Sequence, residues 1–487
     1  MRDATAAWRP TLEVSLAGLT IALIFGLALI LPMPFWQARP AGPPSITQEA
    51  AAGAGWAATL LAVGFALALC VPFRPYALAL RSAAQVSVPT LLLLTAGLAL
   101  VALLVFPAFG SDLFVYLDYE RLWAVYGANP LLAVPNLHPE DWAFPFVWIP
   151  QQPSPYGPLW PLMTWPIARL AGDSLWGWIL GYKLLSLISY VVCCGLIWAS
   201  VGADRRKRAL VLFAWSPLVL FEVLAKAHND ALLAVSALAT VWLARRQPAV
   251  GMLAAAAGML VKLSGFAVVV GLGLVLARRG AWRGLAIGSA VAAVLTLAVY
   301  APFWVGPAGL LPVLAQTTRV VWSPGALLIS LGGSLVPNVD LLTRAATGAG
   351  WAATCVLVAR KGSGVARDAS VLLLATVLLL TTAFFAHYLV PVVALVAVAS
   401  SRRLEHLTLA LSIGSLAAYA VELLGVALPA GWIGSAGYQA LGSALTLTPA
   451  AALLLKWSCL NWRPVQPAFQ SGATTVYQVV PDQPRAQ

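Results

Sequence analysis

The sequence predicts an all-α polytopic membrane protein, and composition, run length and backbone chemistry each support that fold class. Of its 487 residues, 61% are hydrophobic and only 9% are charged, whereas a soluble globular protein carries roughly 25% charged residues. The apolar residues form runs of about 20, the length at which a helix crosses about 30 Å of hydrocarbon. A backbone in lipid must satisfy its own polar groups, which a long apolar run achieves only as a helix. We therefore expect about 14 transmembrane helices.

Basic residues give this bundle an orientation. The net charge of +12 arises from short clusters between apolar runs, such as Arg205 to Arg208 and Arg402-Arg403. The positive-inside rule explains such clusters better than nucleic-acid binding does. It predicts a bacterial-type plasma-membrane protein with both termini in the cytoplasm. The largest polar segment, 109–158, then lies on the extracytoplasmic side, and no nucleic-acid partner is expected.

The chain divides into five predicted regions. Full crossings by both 158–171 and 174–200 would put the Arg205 cluster outside, so Pro158 to Ala171 is expected to form a half-helix. The first apolar run, 12–32, has no clear cleavage site and is interpreted as a retained helix. The five cysteines show neither metal spacing nor a disulfide framework. The regions are N-terminal transmembrane helices 1–108, the extracytoplasmic loop and half-helix 109–171, a core transmembrane region 172–400, C-terminal transmembrane helices 401–462 and a disordered cytoplasmic tail 463–487.

The two ends of the polar loop carry candidate functional residues. Asp112 directly follows an apolar run, so its carboxylate is expected at the membrane surface, where it can meet a lipid-borne and a water-borne substrate. Helical spacing places Asp112, Tyr116 and Tyr119 on one face. An interfacial helix with an aromatic belt is the alternative. At the far end, prolines and Gly157 around Tyr156 predict a rigid turn, and most such turns are purely structural.

A second cluster follows in the core region. Glu222, Lys226, His228, Asn229 and Asp230 lie within nine residues, in a predicted tight turn on the same side as Asp112. An ionisable residue at a helix centre costs about 2.5–3.5 kcal/mol on insertion, so such residues usually face a polar cavity or a partner. A purely structural role for this cluster stays open.

Three further positions interrupt apolar runs with cations: Lys183, Lys262 and His387, the last followed by Tyr388. Each alone is more often a snorkelling lysine or a satisfied core histidine. Together they place positive charge beside carboxylates on one face of the membrane. This composition suits an anionic lipid head group, with one carboxylate left to act as a general base.

Two motifs resemble a known family. The first motif is Pro155-Tyr156-Gly157-Pro158-Leu159-Trp160. The second is Pro217-Leu218-Val219-Leu220 followed by His228-Asn229-Asp230-Ala231-Leu232. Both resemble motifs of the polyprenyl-phosphate-mannose-dependent α-(1→6)-mannosyltransferases of lipomannan synthesis. These are membrane glycosyltransferases of the GT-C superfamily. The resemblance covers roughly 110–391. The chain departs from the family pattern at Lys226-Ala227, where glycines are usual, and at Ala386-His387-Tyr388, where Pro-Trp-Tyr is usual.

The resemblance implies a GT-C-like fold whose long extracytoplasmic loop is the first catalytic loop. It implies a hexosyltransferase that moves a sugar, mannose by analogy, from a polyprenyl-phosphate donor to a lipid-linked or polysaccharide acceptor, with inversion by single displacement. Asp112 is then the predicted base, and Lys183, Lys262 and His387 bind the donor phosphate. No cofactor is expected, nor an obligatory metal, because no paired-Asp motif adjoins Asp112. The predicted substrate-binding residues are Tyr116, Tyr156, Glu222, Lys226, His228, Asn229, Asp230 and Tyr388.

Two other functions remain open from the sequence. A lipid or solute transporter also keeps charges within helices, and it would show paired broken helices near mid-membrane. A non-catalytic subunit of a membrane complex would need no reacting residues. The acceptor, the linkage and the oligomeric state do not follow from the sequence.

Overall fold

The computed structural model describes residues 4–30, 55–107, 112–147, 150–310, 320–332, 335–381, 383–427 and 434–461. Across these ranges the chain is helical and forms no β-strand, apart from isolated bridges between Val321 or Trp322 and Ala383. The predicted all-α polytopic fold is thereby confirmed. The start of the polar loop at Gly110-Ser111 and the predicted tail 463–487 lie outside the described residues.

The N-terminal part contains the helices that lead up to the polar loop and the loop helix itself. The first of them continues as a π-helix over Gly26–Ile30. The helices are α1 (Ala4–Phe25), α2 (Gly55–Cys70), α3 (Phe73–Ser82), α4 (Val88–Leu103) and α5 (Asp112–Ala124).

The central part follows the loop. One of its helices, α9, covers a single turn and continues as a π-helix over Leu220–Ala225. The helices are α6 (Leu159–Ala171), α7 (Leu175–Ser200), α8 (Arg206–Ala214), α9 (Pro217–Val219), α10 (Asp230–Leu243), α11 (Pro248–Val261), α12 (Phe266–Arg278) and α13 (Trp282–Tyr300).

The C-terminal part returns to the core and packs against the central helices. A 3₁₀ turn, Ala386–Leu389, introduces α17. The helices are α14 (Pro324–Gly332), α15 (Val339–Lys361), α16 (Val365–Ala375), α17 (Val390–Ala399), α18 (Arg402–Ala417), α19 (Tyr419–Ala427) and α20 (Gly434–Asn461).

The expected number of about 14 spanning helices is not confirmed. Among the described residues, seven helices are long and apolar enough to cross a membrane, or eight if α8 and the bent segment after it form one span. Five more apolar helices have 10–17 residues. At 1.5 Å per residue, such helices fall short of about 30 Å of hydrocarbon. Several of these helices end at polar turns. A count of spans based on the length of apolar runs does not detect such turns.

The segment predicted to form a half-helix contains the helix α6, which has 13 residues and Pro166 within it. It packs against α5 and α7. An aromatic cluster joins these three helices, with Tyr116, Trp160 and Tyr182 in mutual edge or stacked contact. These contacts hold α5 on the helical core, so that Asp112, the first residue of α5, has a fixed position.

Candidate active site

Asp112 is the first residue of α5, and its side chain is 15% exposed. The Tyr156 hydroxyl donates a 2.8 Å hydrogen bond to Asp112 Oδ2, and His228 Nδ1 lies 3.7 Å from the same oxygen. Burial raises the pKa of Asp112, but the neighbouring His228 and Lys262 and the Tyr156 hydroxyl together lower it to about 2. The two ends of the loop thus meet at one ionised carboxylate.

The segment Leu220–Ala225 ends in a constrained turn that presents His228. Ala227 adopts a left-handed conformation with φ of 60°, which costs an L-residue other than glycine roughly 1–2 kcal/mol. The His228 amide donates to the Glu222 carbonyl over 3.0 Å. The next amide, of Asn229, donates to the Tyr116 hydroxyl over 3.1 Å. Tyr116 therefore fixes the distance between helix α5 and this turn.

Behind His228 lies a fully enclosed polar chain. His228 Nε2 is 3.2 Å from Glu222 Oε2. The Tyr419 hydroxyl donates to Glu222 Oε1 over 2.9 Å, and Lys226 Nζ donates to the Tyr419 hydroxyl over 2.7 Å. A line of close polar neighbours thus runs from Tyr156 through Asp112, His228 and Glu222 to Lys226, and within the described residues neither ring nitrogen of His228 is in hydrogen-bond geometry. Here α9 and its π-helical extension bring an acidic and a basic residue into the protein interior, where each has a partner.

A second line of charge lies beside the first. Lys262 Nζ donates to Asp230 Oδ2 over 2.7 Å and sits 4.3 Å from the centre of the Tyr388 ring. His387 Nε2 is 4.0 Å from the same Asp230 oxygen. The His387 ring stacks on His228 with centroids 4.0 Å apart. The Lys262 ammonium, the His387 imidazole and the Asp230 carboxylate therefore flank the Asp112–His228 pair.

Lys183 has different surroundings. Its ammonium donates to four backbone carbonyls, those of Leu103, Val105, Leu224 and Ala225, over 2.8–3.0 Å. These carbonyls lie at the end of α4 and at the end of the segment that precedes the His228 turn. The other predicted site residues are all joined to the cluster by the contacts above. Lys183 instead ties together the two backbone segments that lead into it.

The residues of this cluster lie largely within a region that matches a known protein family. The family described as alpha-(1->6)-mannopyranosyltransferase, N-terminal domain, matches residues 32–279, just over half of the chain. The chain belongs to this mannosyltransferase family. The resemblance drawn from the sequence motifs is confirmed, and it places the protein among membrane mannosyltransferases.

One curated relative supports the same family. An alpha-(1->6)-mannopyranosyltransferase B of Corynebacterium glutamicum is 31% identical over 137 residues, which is 26% of this chain and 22% of the relative. The match thus spans about a fifth of that relative's length. No solved structure matches the chain. Within the family-matched region lie Asp112, His228 and Lys262, whereas His387 and Tyr419 lie beyond it.

A metal ion is one possible occupant of a site with two imidazoles and a carboxylate. One ligand atom each from Asp112, His228 and His387 lies within 4.8 Å of the others. An imidazole binds a metal along a nitrogen lone pair in the plane of its ring. The two rings are stacked at 16° to one another, so both lone pairs cannot reach one ion unless a ring turns. The residues do not fit a metal in this arrangement, and a metal-free reaction stays a prediction.

The family motifs did not reveal Tyr419, which bridges Lys226 and Glu222. Tyr419 lies 193 residues from Lys226 and 197 from Glu222 in the chain. The only signal in the sequence is a tyrosine followed three residues later by Glu422 inside an apolar run. Such a pair resembles a membrane-interface anchor, so its connection to the site becomes visible only in the folded chain.

Proposed function

We propose that this family member is a membrane hexosyltransferase that moves mannose from a polyprenyl-phosphate donor to a lipid-linked or polysaccharide acceptor on the extracytoplasmic face. Membership of the family supports mannosyl transfer. The observation that carries the proposal is the position of Asp112 close to the Lys262 ammonium and to the imidazoles of His228 and His387. A sugar phosphate ester needs both: a base for the acceptor hydroxyl and positive charge for the departing phosphate.

Asp112 is the proposed general base because it is the most accessible carboxylate of the cluster. Its side chain is 15% exposed, whereas those of Glu222 and Asp230 are 0% and 1% exposed. In the proposed step the acceptor O–H proton passes to Asp112 while the oxygen attacks the anomeric carbon. The bond to the phosphate oxygen breaks on the opposite face, and its electron pair leaves with the phosphate. The product therefore has the inverted anomeric configuration.

Lys262 and His387 are the proposed partners of the donor phosphate. An ammonium has three donors, so Lys262 can keep its bond to Asp230 and still bind a phosphate oxygen. Preorganised charge of this kind stabilises a departing phosphate without a general acid. The four carbonyls around Lys183 favour a structural role for that lysine, and we leave it out of the proposed donor site.

Asn229 is the proposed sugar-binding residue with the clearest evidence. Its side chain is 2% exposed, and within the described part of the chain neither side-chain atom, Oδ1 nor Nδ2, has a hydrogen-bond partner. Buried polar groups normally have partners, and an amide offers the donor and the acceptor that neighbouring sugar hydroxyls require. Tyr388 is partly exposed beside Lys262 and is the proposed aromatic surface for the sugar or the lipid. Tyr116 and Tyr156 are buried, so in this proposal they act on the substrate through the Asn229 amide and the Asp112 carboxylate that they bind.

The test is direct transfer by the purified full chain in nanodiscs. It is incubated with polyprenyl-phosphate mannose and a mixture of bacterial membrane glycolipids, and products are identified by mass spectrometry and NMR. We expect one added hexose with the anomeric configuration opposite to that of the donor, and no loss of rate with EDTA. Absence of a hexose adduct, or retention of configuration, contradicts the proposal.

One observation keeps a transport function as the second candidate. Helix α8 and the segment Pro217–Ala225 are bent by 47° at a short break, and broken helices are typical of transporters. Inverted repeats would give a second, corresponding break, and the described residues contain one such bent pair. Proteoliposomes that carry fluorescent polyprenyl phosphate test this. Transfer between leaflets without any acceptor would favour transport over catalysis.

A further inference from the structure

We propose that Glu222 and His228 form a proton relay behind Asp112, with Glu222 acting as a positioning residue. This inference rests on the proposed function and deepens it. It also changes the role expected for Glu222 and His228, from contact with substrate to control of the base.

Enclosure is the first argument. The side chains of Glu222 and His228 are 0% and 1% exposed, and Tyr419 and Lys226 cover the far side of Glu222. A substrate hydroxyl cannot reach Glu222 while these contacts are in place. Glu222 can therefore influence Asp112 only through His228, which lies between the two carboxylates.

The orientation of the His228 ring is the second argument. Its Nε2 faces Glu222 at 3.2 Å and its Nδ1 faces Asp112 at 3.7 Å. A carboxylate accepts hydrogen bonds, so Glu222 favours the tautomer with the proton on Nε2. The lone pair of Nδ1 then points at Asp112. Within the described residues neither ring nitrogen is in hydrogen-bond geometry with a carboxylate, so the closer carboxylate, that of Glu222, decides which nitrogen carries the proton.

The arrangement changes when Asp112 receives a proton. The new O–H on Asp112 donates to Nδ1 of His228, and the proton moves onto that nitrogen. His228 becomes an imidazolium between two carboxylates, and Asp112 is ionised again for the next acceptor. Atoms and charge balance, since the proton leaves the acceptor hydroxyl and the bonding pair leaves with the phosphate. No further reactant is required.

Other charged groups set the background for this relay. His228 also stacks on His387, and the Lys262–Asp230 pair lies beside them. Tyr419 holds the second oxygen of Glu222, and Lys226 holds Tyr419. The charged or titratable groups around His228 thus include Asp112, Glu222, Asp230, Lys262 and His387, and further away Lys226 and the carboxyl of Glu422, which interacts electrostatically with Lys226, Glu222 and Asp112.

Kinetics provide the first test. Glu222→Gln keeps the shape of the side chain, and we expect kcat to fall about 10²-fold with KM for both substrates unchanged. The matched control, Glu120→Gln, changes a buried carboxyl outside the relay and should leave kcat close to wild type. Tyr419→Phe removes one donor from Glu222 and should lower kcat by a smaller factor. A rise in KM at unchanged kcat would instead make Glu222 a substrate ligand and overturn the proposal.

¹⁵N-histidine NMR of the full chain in nanodiscs provides a second test that does not need turnover. The chain has four histidines, and the signal lost in His228→Asn identifies His228. At pH 8 we expect wild-type His228 to be the Nε2–H tautomer, and Glu222→Gln to convert it to a tautomer mixture. Identical His228 signals in both proteins overturn the relay. If wild type transfers no mannose, the proposed function fails, while the tautomer result still decides the relay.

Discussion

Three carboxylates meet in the site, and each has a different neighbour. Asp112 accepts from Tyr156 and retains some exposure, Glu222 accepts from Tyr419, and Asp230 accepts from Lys262. A buried carboxylate requires a cation or strong donors. The two enclosed carboxylates meet that need within the protein, which leaves Asp112 as the one with capacity for a substrate.

The ionisation of Asp112 gives the first prediction. Its pKa of about 2 lies below the ordinary value, so its stabilising contribution is complete above about pH 3.9 and is lost as the pH falls towards 2. Infrared spectra are recorded over a pH titration for wild type and for Asp112→Asn. The difference between the two sets of spectra isolates the carboxyl band of Asp112. We expect that band only as the pH approaches 2. A protonated band already present at pH 5 would contradict the contacts described for Asp112.

Glu120 gives the opposite prediction. Thr164 donates to Glu120 Oε2 over 2.7 Å, and within the described residues Oε1 has no partner. Burial raises the pKa of Glu120 to about 8, so the folded state holds its proton more tightly than the unfolded state. The contribution of Glu120 to the free energy of unfolding is therefore greatest below the ordinary pKa of a glutamate, and it is lost as the pH rises through about 8.

The substitution Glu120→Gln removes that decline. At pH 9 the variant should be more stable than wild type by about 1–3 kcal/mol, the usual penalty for a poorly satisfied buried group. Near pH 5 the two proteins should melt together. Thermal unfolding in detergent at both pH values measures this, and a difference that does not depend on pH would contradict it.

At the level of elements, the turn at Gly157 holds the loop against helix α11. The Gly157 amide donates to the Val261 carbonyl over 3.0 Å, and a Cβ on Gly157 would lie 2.0 Å from the Leu260 carbonyl oxygen. Lys262 follows directly. The close approach of two backbones therefore positions Tyr156 and Lys262 together, and only glycine permits it.

Gly157→Ala should accordingly destabilise the protein by about 1–3 kcal/mol and lower mannose transfer, because α11 must move away with Lys262. The matched control is Gly97→Ala in α4, where an added Cβ meets nothing within 4 Å. That control should be neutral or slightly stabilising. Melting temperature and transfer rate are measured for both variants, and equal behaviour of the two would refute the role of this turn.

The sequence predicted the elements near the site better than it predicted the bundle. Helical spacing placed Asp112, Tyr116 and Tyr119 in one helix, and that helix is α5. The number of spans was not confirmed, because apolar runs are interrupted at Lys226 to Asp230 and at Lys262. The sequence predicted neither the four carbonyl partners of Lys183 nor the place of Tyr419 in the site, since these contacts join residues far apart in the chain and are set by packing.

At the scale of the whole molecule, the site joins parts of the chain within and beyond the family match. His387, Tyr388 and Tyr419 come from the C-terminal part, beyond residue 279. Ion pairs also connect the basic clusters that the positive-inside rule assigns to one side: Arg208 pairs with Glu405, and Arg278 with Asp368. These links place the paired clusters on one side of the bundle, and the cytoplasmic identity of that side stays a prediction.

That orientation predicts the accessibility of single cysteines. In a variant with all five native cysteines replaced by serine, a membrane-impermeant maleimide should label Leu137→Cys on intact cells. It should label Arg279→Cys only after permeabilisation. Both positions are exposed, so reactivity reports the side of the membrane. The reverse pattern would place the loop and the proposed site in the cytoplasm.

Mannose transfer by Asp112→Asn, compared with Asp118→Asn, tests the central claim most directly. Both residues lie on α5, and Asp118 is buried with Asp141, Arg121 and His138 as its charged or titratable neighbours. Equal folding is checked by size exclusion, and transfer from polyprenyl-phosphate mannose is followed by mass spectrometry. We predict that Asp112→Asn loses about 10²–10⁴-fold in rate and that Asp118→Asn keeps most of its activity. Wild-type transfer by Asp112→Asn would contradict the assignment of Asp112 as the base.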